Sequence, residues 1–255
     1  MKNREVIDHI VSWLKNYSRE SSTQGFVVGI SGGIDSALTS VLCALTEKQV
    51  LTVSLPIRQH PAEFARAKVH IQWLEKKFSN VRSHEINLAD PFHSLEKIFP
   101  HDIQDPLSMA NTRSRLRMLT LYAFACHHKM LVAGTGNKIE DFGVGFFTKY
   151  GDGGVDLSPI ADLLKSEVSA LAAELGINPE IISAPPTDGL YADSITDESQ
   201  IGASYAELER AMAQEMDMNL GEREKEVLKI YTELHKKNRH KMVPVPVCII
   251  PSSLR

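Results

Sequence analysis

The sequence predicts an α/β fold in which a mainly parallel sheet is flanked by helices on both faces. Three observations predict it. Short apolar runs of strand length alternate with segments of helical periodicity through the first half of the chain. The run at 25–30 (GFVVGI) and the run at 50–55 are apolar without alternation, as strands covered on both faces are. Two glycine-rich segments, 31–33 and 134–136, each directly follow such a run. In a parallel sheet those loops fall at the carboxyl ends of the strands, where ligands bind.

The elements follow in order. Val6, Ile10, Trp13, Leu14 and Tyr17 stand at helical spacing and predict an opening amphipathic helix over 5–17. Strand 25–30 leads through a turn at 31–33 into a helix over 34–46, and strand 50–55 stops at Pro56. A helix carrying Phe64, Ala67, Ile71, Trp73, Leu74 and Phe78 precedes a strand at 84–88. A long helix over 107–128, a strand at 130–133 and a helix over 163–175, ended by Gly176, complete the βα rhythm. Residues 183–200 combine proline, glycine and acids, which predicts a loop; its part from 187 onward is expected to close over a bound ligand. A charged helix over 221–240 then leads to the tail VPVPVCIIP, whose alternate prolines exclude a central strand. With no repeat and no linker, residues 1–255 read as a single domain.

Composition removes several function classes. Twenty-eight basic against 32 acidic residues give a net charge of −4, which supplies no electrostatic reason for a nucleic-acid partner. No apolar stretch approaches the roughly 20 residues of a membrane span, and no signal-peptide pattern opens the chain. The expected location is therefore the cytoplasm, with no membrane partner. Cys43, Cys126 and Cys248 lie far apart without a C-x-x-C pair, which argues against a disulfide framework or a cysteine-rich metal site.

Gly29-Ile30-Ser31-Gly32-Gly33-Ile34-Asp35-Ser36 follows a strand and opens a helix, as an anion-binding loop does. Three readings compete. A P-loop requires a lysine that this segment lacks. Gly29-x-Ser31-x-Gly33 matches the nucleophile elbow of α/β-hydrolases. Ser31–Ser36 also matches SGGxDS, the pyrophosphate-binding loop of the N-type ATP pyrophosphatases. Asp35 favours this last reading, because a carboxylate among phosphates has a task only when a magnesium ion bridges them.

The second segment, 134–156, reads GTGNKIEDFGVGFFTKYGDGGVD. Gly134-x-Gly136 lacks the third glycine of a dinucleotide fingerprint. Together with SGGIDS, this segment closely resembles the ammonia-dependent NAD synthetases. FFTKYGDGG at 146–154 is the most characteristic piece. Asn111-x-Arg113-x-Arg115-x-Arg117-Met118, the 159–165 stretch, Ala184-Pro185-Pro186-Thr187 and His240-Lys241 match in the family's order. The resemblance covers about residues 25–241. It implies an adenine-nucleotide-hydrolase-like (Rossmann-like) sheet and a homodimer. The opening helix, the 107–128 helix and the tail are the expected interface pieces.

What the resemblance implies for the site is specific. Residues 29–36 would hold the ATP phosphates, with Asp35 and Glu140 on magnesium. Thr135, Lys165 and Thr187 match positions that contact ATP. Arg117, Lys149, Asp156, His240 and Lys241 match positions that hold deamido-NAD. Asp35 and Lys165 would carry the chemistry, an amidation of deamido-NAD by ATP and ammonia through an adenylate, giving NAD, AMP and pyrophosphate. Glutamine-dependent relatives carry a fused amidase domain, for which 255 residues filled by these motifs leave no room. Free ammonia is the expected donor.

Two departures from the family pattern stand out. Gly136-Asn137-Lys138 replaces a common acidic residue after Gly-Thr, and Ser54 stands where an arginine is common, with Arg58 as one substitute. The alternatives are another SGGxDS enzyme, such as one that modifies tRNA, and a non-catalytic ATP-binding regulator. A bland reading also stands for several residues. Arg113, Arg115 and Arg117 alternate on one helix and cannot all face one way, Lys165 fits an ordinary surface position, and 236–241 (KKNRHK) fits a solvated helix end.

Overall fold

A computed structural model describes residues 1–187, 189, 196–213 and 220–255. Strands β1 (Gly25–Gly29), β2 (Gln49–Ser54), β3 (Val81–Glu85) and β4 (Leu131–Val132) form one parallel sheet in the order β3-β2-β1-β4. Phe26 is in register with Val50 on one side and Leu131 on the other. The chain steps outward from β1 to β3 and then returns to the opposite flank of β1. The direction of winding thus switches between β1 and β4, which opens a crevice at their carboxyl ends.

Helices cover both faces, as an all-parallel sheet requires. They are α1 (Asn3–Glu20), α2 (Ile34–Ala44), α3 (Pro61–Lys77), α4 (Ala89–Ile98), α5 (Pro106–His128), α6 (Lys165–Glu174), α7 (Pro179–Ile182), α8 (Asp197–Ile201), α9 (Tyr205–Ala213) and α10 (Glu222–Met242). Alternation along β1 sends Phe26 and Val28 into one core, with Leu14, Leu38, Leu74 and Leu171. Val27 enters the other, with Phe92 of α4 and Met109 and Ala125 of α5. A smaller cluster joins α9 and α10 to a single wide π-type turn, Ile139–Val144, through Tyr205, Leu208 and Tyr231.

Several expectations need correction. In α1 the buried stripe is Ile7, Ile10 and Leu14; Trp13 and Tyr17 are each 38% exposed and pack on one another at the rim. β3 starts three residues before the predicted strand, because pairing with β2 rather than apolar content defines this edge: Val81 meets Val50, and only Val81 is fully buried. Helices α4, α7 and α9 were not anticipated. The predicted loop 183–200 ends in α8, which Thr196 caps by accepting from Ser199 N. Residues 188 and 190–195 of the expected closing segment lie outside the described residues; at its base Asp197 N–H donates to Pro186 O (3.0 Å). The tail after α10 forms no strand, and Val245, Val247 and Ile249 are exposed.

His70 of α3 is buried, with Nε2 2.9 Å from Ser40 Oγ of α2. Ser40 gives its proton to Ala37 O, so His70 Nε2–H is the donor. Burial pushes its pKa down to about 4. The unfolded chain, near 6.5, therefore binds the extra proton first, and stability is lost as pH falls from 6.5 towards 4. The loss approaches ~3 kcal/mol at pH 4. Urea unfolding of the wild type and of His70→Gln at pH 7 and pH 4.5 checks it: the gap in midpoint between the two pH values should shrink in the variant.

Candidate active site

The first glycine loop sits at the carboxyl end of β1, in the crevice. Ser36 Oγ donates to Gly33 O (3.0 Å) and lies 3.1 Å from Ser31 Oγ, while Gly33 N donates to Ser31 Oγ (3.2 Å). These bonds hold the loop open as a cradle above the N-terminus of α2, whose first N–H groups have no intrahelical partner. Gly32 adopts φ +91°, and a Cβ there would stand 2.3 Å from Glu63 O. Only glycine lets the loop lie this close to α3. No histidine lines this crevice among the described residues. Ser31 therefore has no general base, and the hydrolase elbow lacks its second member.

Asp35 lies in the first turn of α2, where the helix dipole favours an anion. Lys165 opens α6, where the same dipole disfavours a cation. The two meet: Lys165 Nζ donates to Asp35 Oδ2 (2.5 Å) and to Glu140 Oε1 (3.2 Å). Glu140 comes from the π-type turn, and Asn137 Nδ2 donates to Asp35 Oδ1 (3.3 Å). One half-buried ammonium thus joins three segments that lie apart in sequence. Burial works against its charge, but Glu140 and Asp35 more than offset this and hold Lys165 above its ordinary pKa, hence protonated. Burial pushes Asp35 up, against the opposing pull of Lys165.

A second acidic group faces the same crevice. Asp152 Oδ1 accepts from Ser114 Oγ (2.6 Å) and Thr148 N (3.0 Å), which fastens the 146–154 loop to α5. Asp141 lies against Gly136, where a Cβ would fall 2.1 Å from its carboxylate. Burial, with Glu140, Asp152 and Asp35 adding, pushes Asp141 up to about 8. The Gly136-Asn137-Lys138 departure has a structural reason here: Gly136 makes room for Asp141, and Asn137 reaches Asp35.

The crevice encloses about 430 Å³. Thr135, Thr187, Arg117, Lys165 and Glu140 line it with the glycine loop. Thr187 Oγ1 donates to Glu63 Oε1 (2.7 Å) and Arg117 Nε to Leu55 O (3.2 Å). The structure gathers Lys149, His240 and Lys241 elsewhere, where α10 ends against the 145–150 loop: Lys241 Nζ donates to Gly145 O (2.9 Å) and Phe147 O (2.8 Å), and Lys149 Nζ to His240 O. Asp156 binds its own strand region, accepting from Tyr122 Oη (3.0 Å) and Val132 N (2.8 Å). None of these four lines the 430 Å³ crevice. Arg58 does not reach it either, being paired bidentately with Glu96 (2.9 and 2.7 Å). Arg115 turns to Lys149 O and Arg113 lies over Phe92, so the three arginines do diverge.

Two residues were missed. Arg66 lines the crevice and donates through Nε to Gly32 O (3.3 Å). Tyr205 donates to Glu140 Oε1 (2.5 Å). Arg66 had a signal in the helix periodicity of α3, one turn after Glu63. Tyr205 had none, since α9 itself was not anticipated.

A family model described as NAD synthase matches residues 6–244. The chain is 36% identical over 243 residues to an NH(3)-dependent NAD(+) synthetase of Carboxydothermus hydrogenoformans, covering 93% of this chain and 94% of that one. Among solved structures it is similar to an NMN synthetase from Francisella tularensis, with TM-score 0.86, 27% identity and 99% of each chain covered. An NH3-dependent NAD synthetase from Campylobacter jejuni shares the fold at TM-score 0.78 and 24% identity, over 98% of this chain and 100% of that one.

Proposed function

The chain belongs to the NAD synthase family, and from that premise we propose that it is a ligase forming a C–N bond: it amidates deamido-NAD with ammonia at the expense of ATP. The observation that carries this reading is the Lys165 ammonium bridging Asp35 and Glu140 beside the Ser31–Ser36 cradle. The nicotinate carboxylate oxygen attacks the ATP α-phosphorus, and the bond to the bridging oxygen breaks to release pyrophosphate. Ammonia then adds to the carbonyl carbon of the adenylate, its nitrogen loses one proton to solvent, and AMP leaves with the former carboxylate oxygen. No protein nucleophile is needed. The work of the chain is to place two anions together and to stabilise the charge that grows on the departing pyrophosphate.

The cradle N–H groups and the α2 N-terminus receive the phosphates, Lys165 supplies a protonated donor, and Thr135 and Thr187 border the nucleotide. Arg66, which lines the crevice and donates to Gly32 O of the cradle, adds a second cation beside the phosphates. Magnesium fits the chemistry of the donor set: Asp35 and Glu140 offer hard carboxylate oxygens in the crevice, beside the Lys165 ammonium that they bind. Among the described residues no group of three or more His, Cys, Asp or Glu is arranged for a metal. Asp35 and Glu140 would hold magnesium, and it would neutralise triphosphate charge. The Lys149, His240 and Lys241 group is read as the acceptor's outer contact. We also read the protein as a cytoplasmic homodimer; exposed Leu107 and Leu119 on α5 and the apolar tail support an interface. No helix among the described residues is long and apolar enough to cross a membrane.

A second reading has a specific observation behind it. The Francisella NMN synthetase covers the whole chain at 0.86, which favours a mononucleotide acceptor, nicotinate mononucleotide, at the same site. Pyrophosphate and amide formation with ATP, magnesium and either acceptor, comparing ammonium with glutamine, tests both. The main reading expects kcat/KM at least ~10-fold higher for deamido-NAD, with ammonium alone sufficient. The opposite preference selects the mononucleotide, and turnover with neither acceptor overturns both.

A further inference from the structure

The Asp35–Lys165–Glu140 centre is held from above by an element that no motif accounts for. Tyr205, at the start of α9, is buried; its hydroxyl donates to Glu140 Oε1 (2.5 Å) and lies 3.3 Å from Asp197 Oδ2 of α8. Its ring face lies 4.7 Å from Lys165 Nζ, within cation–π range. One side chain therefore touches both the carboxylate and the ammonium. One turn further along α9, Glu209 accepts from Ser166 N (2.9 Å) and Ser166 Oγ (2.7 Å). That bond caps the first turn of α6, whose first residue is Lys165. Tyr205 and Glu209 stand at i and i+4, on one face of α9. α9 also packs on α10 and the π-type turn through Leu208 and Ala211, so it is a fixed platform.

We propose that Tyr205 is a positioning residue for this centre, fixing the Glu140 carboxylate with its hydroxyl and seating Lys165 on its ring, with Glu209 locking the helix start that carries Lys165. The inference rests on the amidation reading for its kinetic arm only. Free rotation of the Glu140 carboxylate would let it follow Lys165 wherever that side chain moves. The Tyr205 hydroxyl and Lys165 Nζ meet on the same oxygen, Glu140 Oε1, so the hydroxyl holds that oxygen against the ammonium and fixes the plane of the carboxylate. Groups that orient metal-binding carboxylates cost about 10- to 100-fold in affinity or activity when removed.

Tyr205→Phe keeps the ring and removes only the hydroxyl. The expected result is a fall in kcat of ~10- to 100-fold, with KM for ATP within ~3-fold of the wild type and the melting temperature within a few degrees. Manganese binding, read by electron paramagnetic resonance without turnover, should weaken ~5- to 10-fold or more in the same variant. This arm stands even if neither acceptor is the substrate. Tyr205→Leu serves as the packing control. A merely structural tyrosine predicts a harmless Phe and a harmful Leu, whereas positioning predicts that Phe already loses most of the effect. Unchanged kcat and manganese affinity in folded Tyr205→Phe overturn the proposal. Should that variant not fold, Glu209→Gln decides it: kcat lowered ~3- to 10-fold with the fold kept supports the proposal, and unchanged kcat overturns it.

Discussion

Asp35→Asn is expected to lower the rate of pyrophosphate release by at least ~10³-fold while leaving the fold intact. The size follows from what the carboxylate does: it sits in the first turn of α2 beside the phosphate cradle and contacts Lys165 at 2.5 Å. Losing one preorganised electrostatic group at a site of developing charge costs about 10²–10³, and Asp35 is also one of only two carboxylates at the cation position. Stability should barely change. Burial already disfavours the charged form of Asp35, so the amide gives up little, and Lys165 keeps Glu140 at 3.2 Å. Acceptor-dependent pyrophosphate release alongside a thermal melt checks both halves. Turnover within ~10-fold of the wild type would contradict the assignment.

Lys165→Met is expected to cost ~10²–10³ in kcat, with a separate loss of stability that Asp35→Asn does not share. Removing the ammonium leaves Asp35 and Glu140 half-buried beside each other with their shared counter-charge gone. Breaking a buried pair in this way typically destabilises by about 3–5 kcal/mol. Both carboxylates retain slight solvent access (17% and 16% of the side chain) and Asn137 still donates to Asp35, so the lower end of that range applies. Magnesium offers the two carboxylates a replacement cation. The melting temperature of the variant should therefore rise more on adding magnesium than that of the wild type. An equal or smaller rise would argue against Asp35 and Glu140 as the magnesium pair.

Much of this centre was legible in the sequence because its parts are local. SGGIDS is a contiguous loop, and its glycines, serines and aspartate each have a task within six residues. The sheet was legible for a related reason: strands covered on both faces are written as continuous apolar runs, and glycines follow β1 and β4 at the site-bearing edge. What could not be read was contact between distant segments. Lys165 was singled out only through the family resemblance, since its own surroundings in sequence fit an ordinary helix start; its partners lie 130 and 25 residues away. Arg66 and Tyr205 belong to no contiguous motif, and α9 is short and mixed in composition. β3 was misplaced because an edge strand paired on one side needs little apolar content, and VRSHE has little. In the second glycine-rich segment, the π-type turn at Ile139–Val144 was hidden among glycines that read as loop, although it is the element that carries both Glu140 and Asp141.

The central claim is that the acceptor's carboxylate oxygen becomes part of AMP. A single-turnover reaction with ATP, ammonium and acceptor labelled with oxygen-18 in both carboxylate oxygens tests it most directly, with the products resolved by mass spectrometry. The account predicts one label in AMP, one retained in the amide and none in pyrophosphate. Label in inorganic phosphate with ADP formed, or AMP free of label, would contradict it.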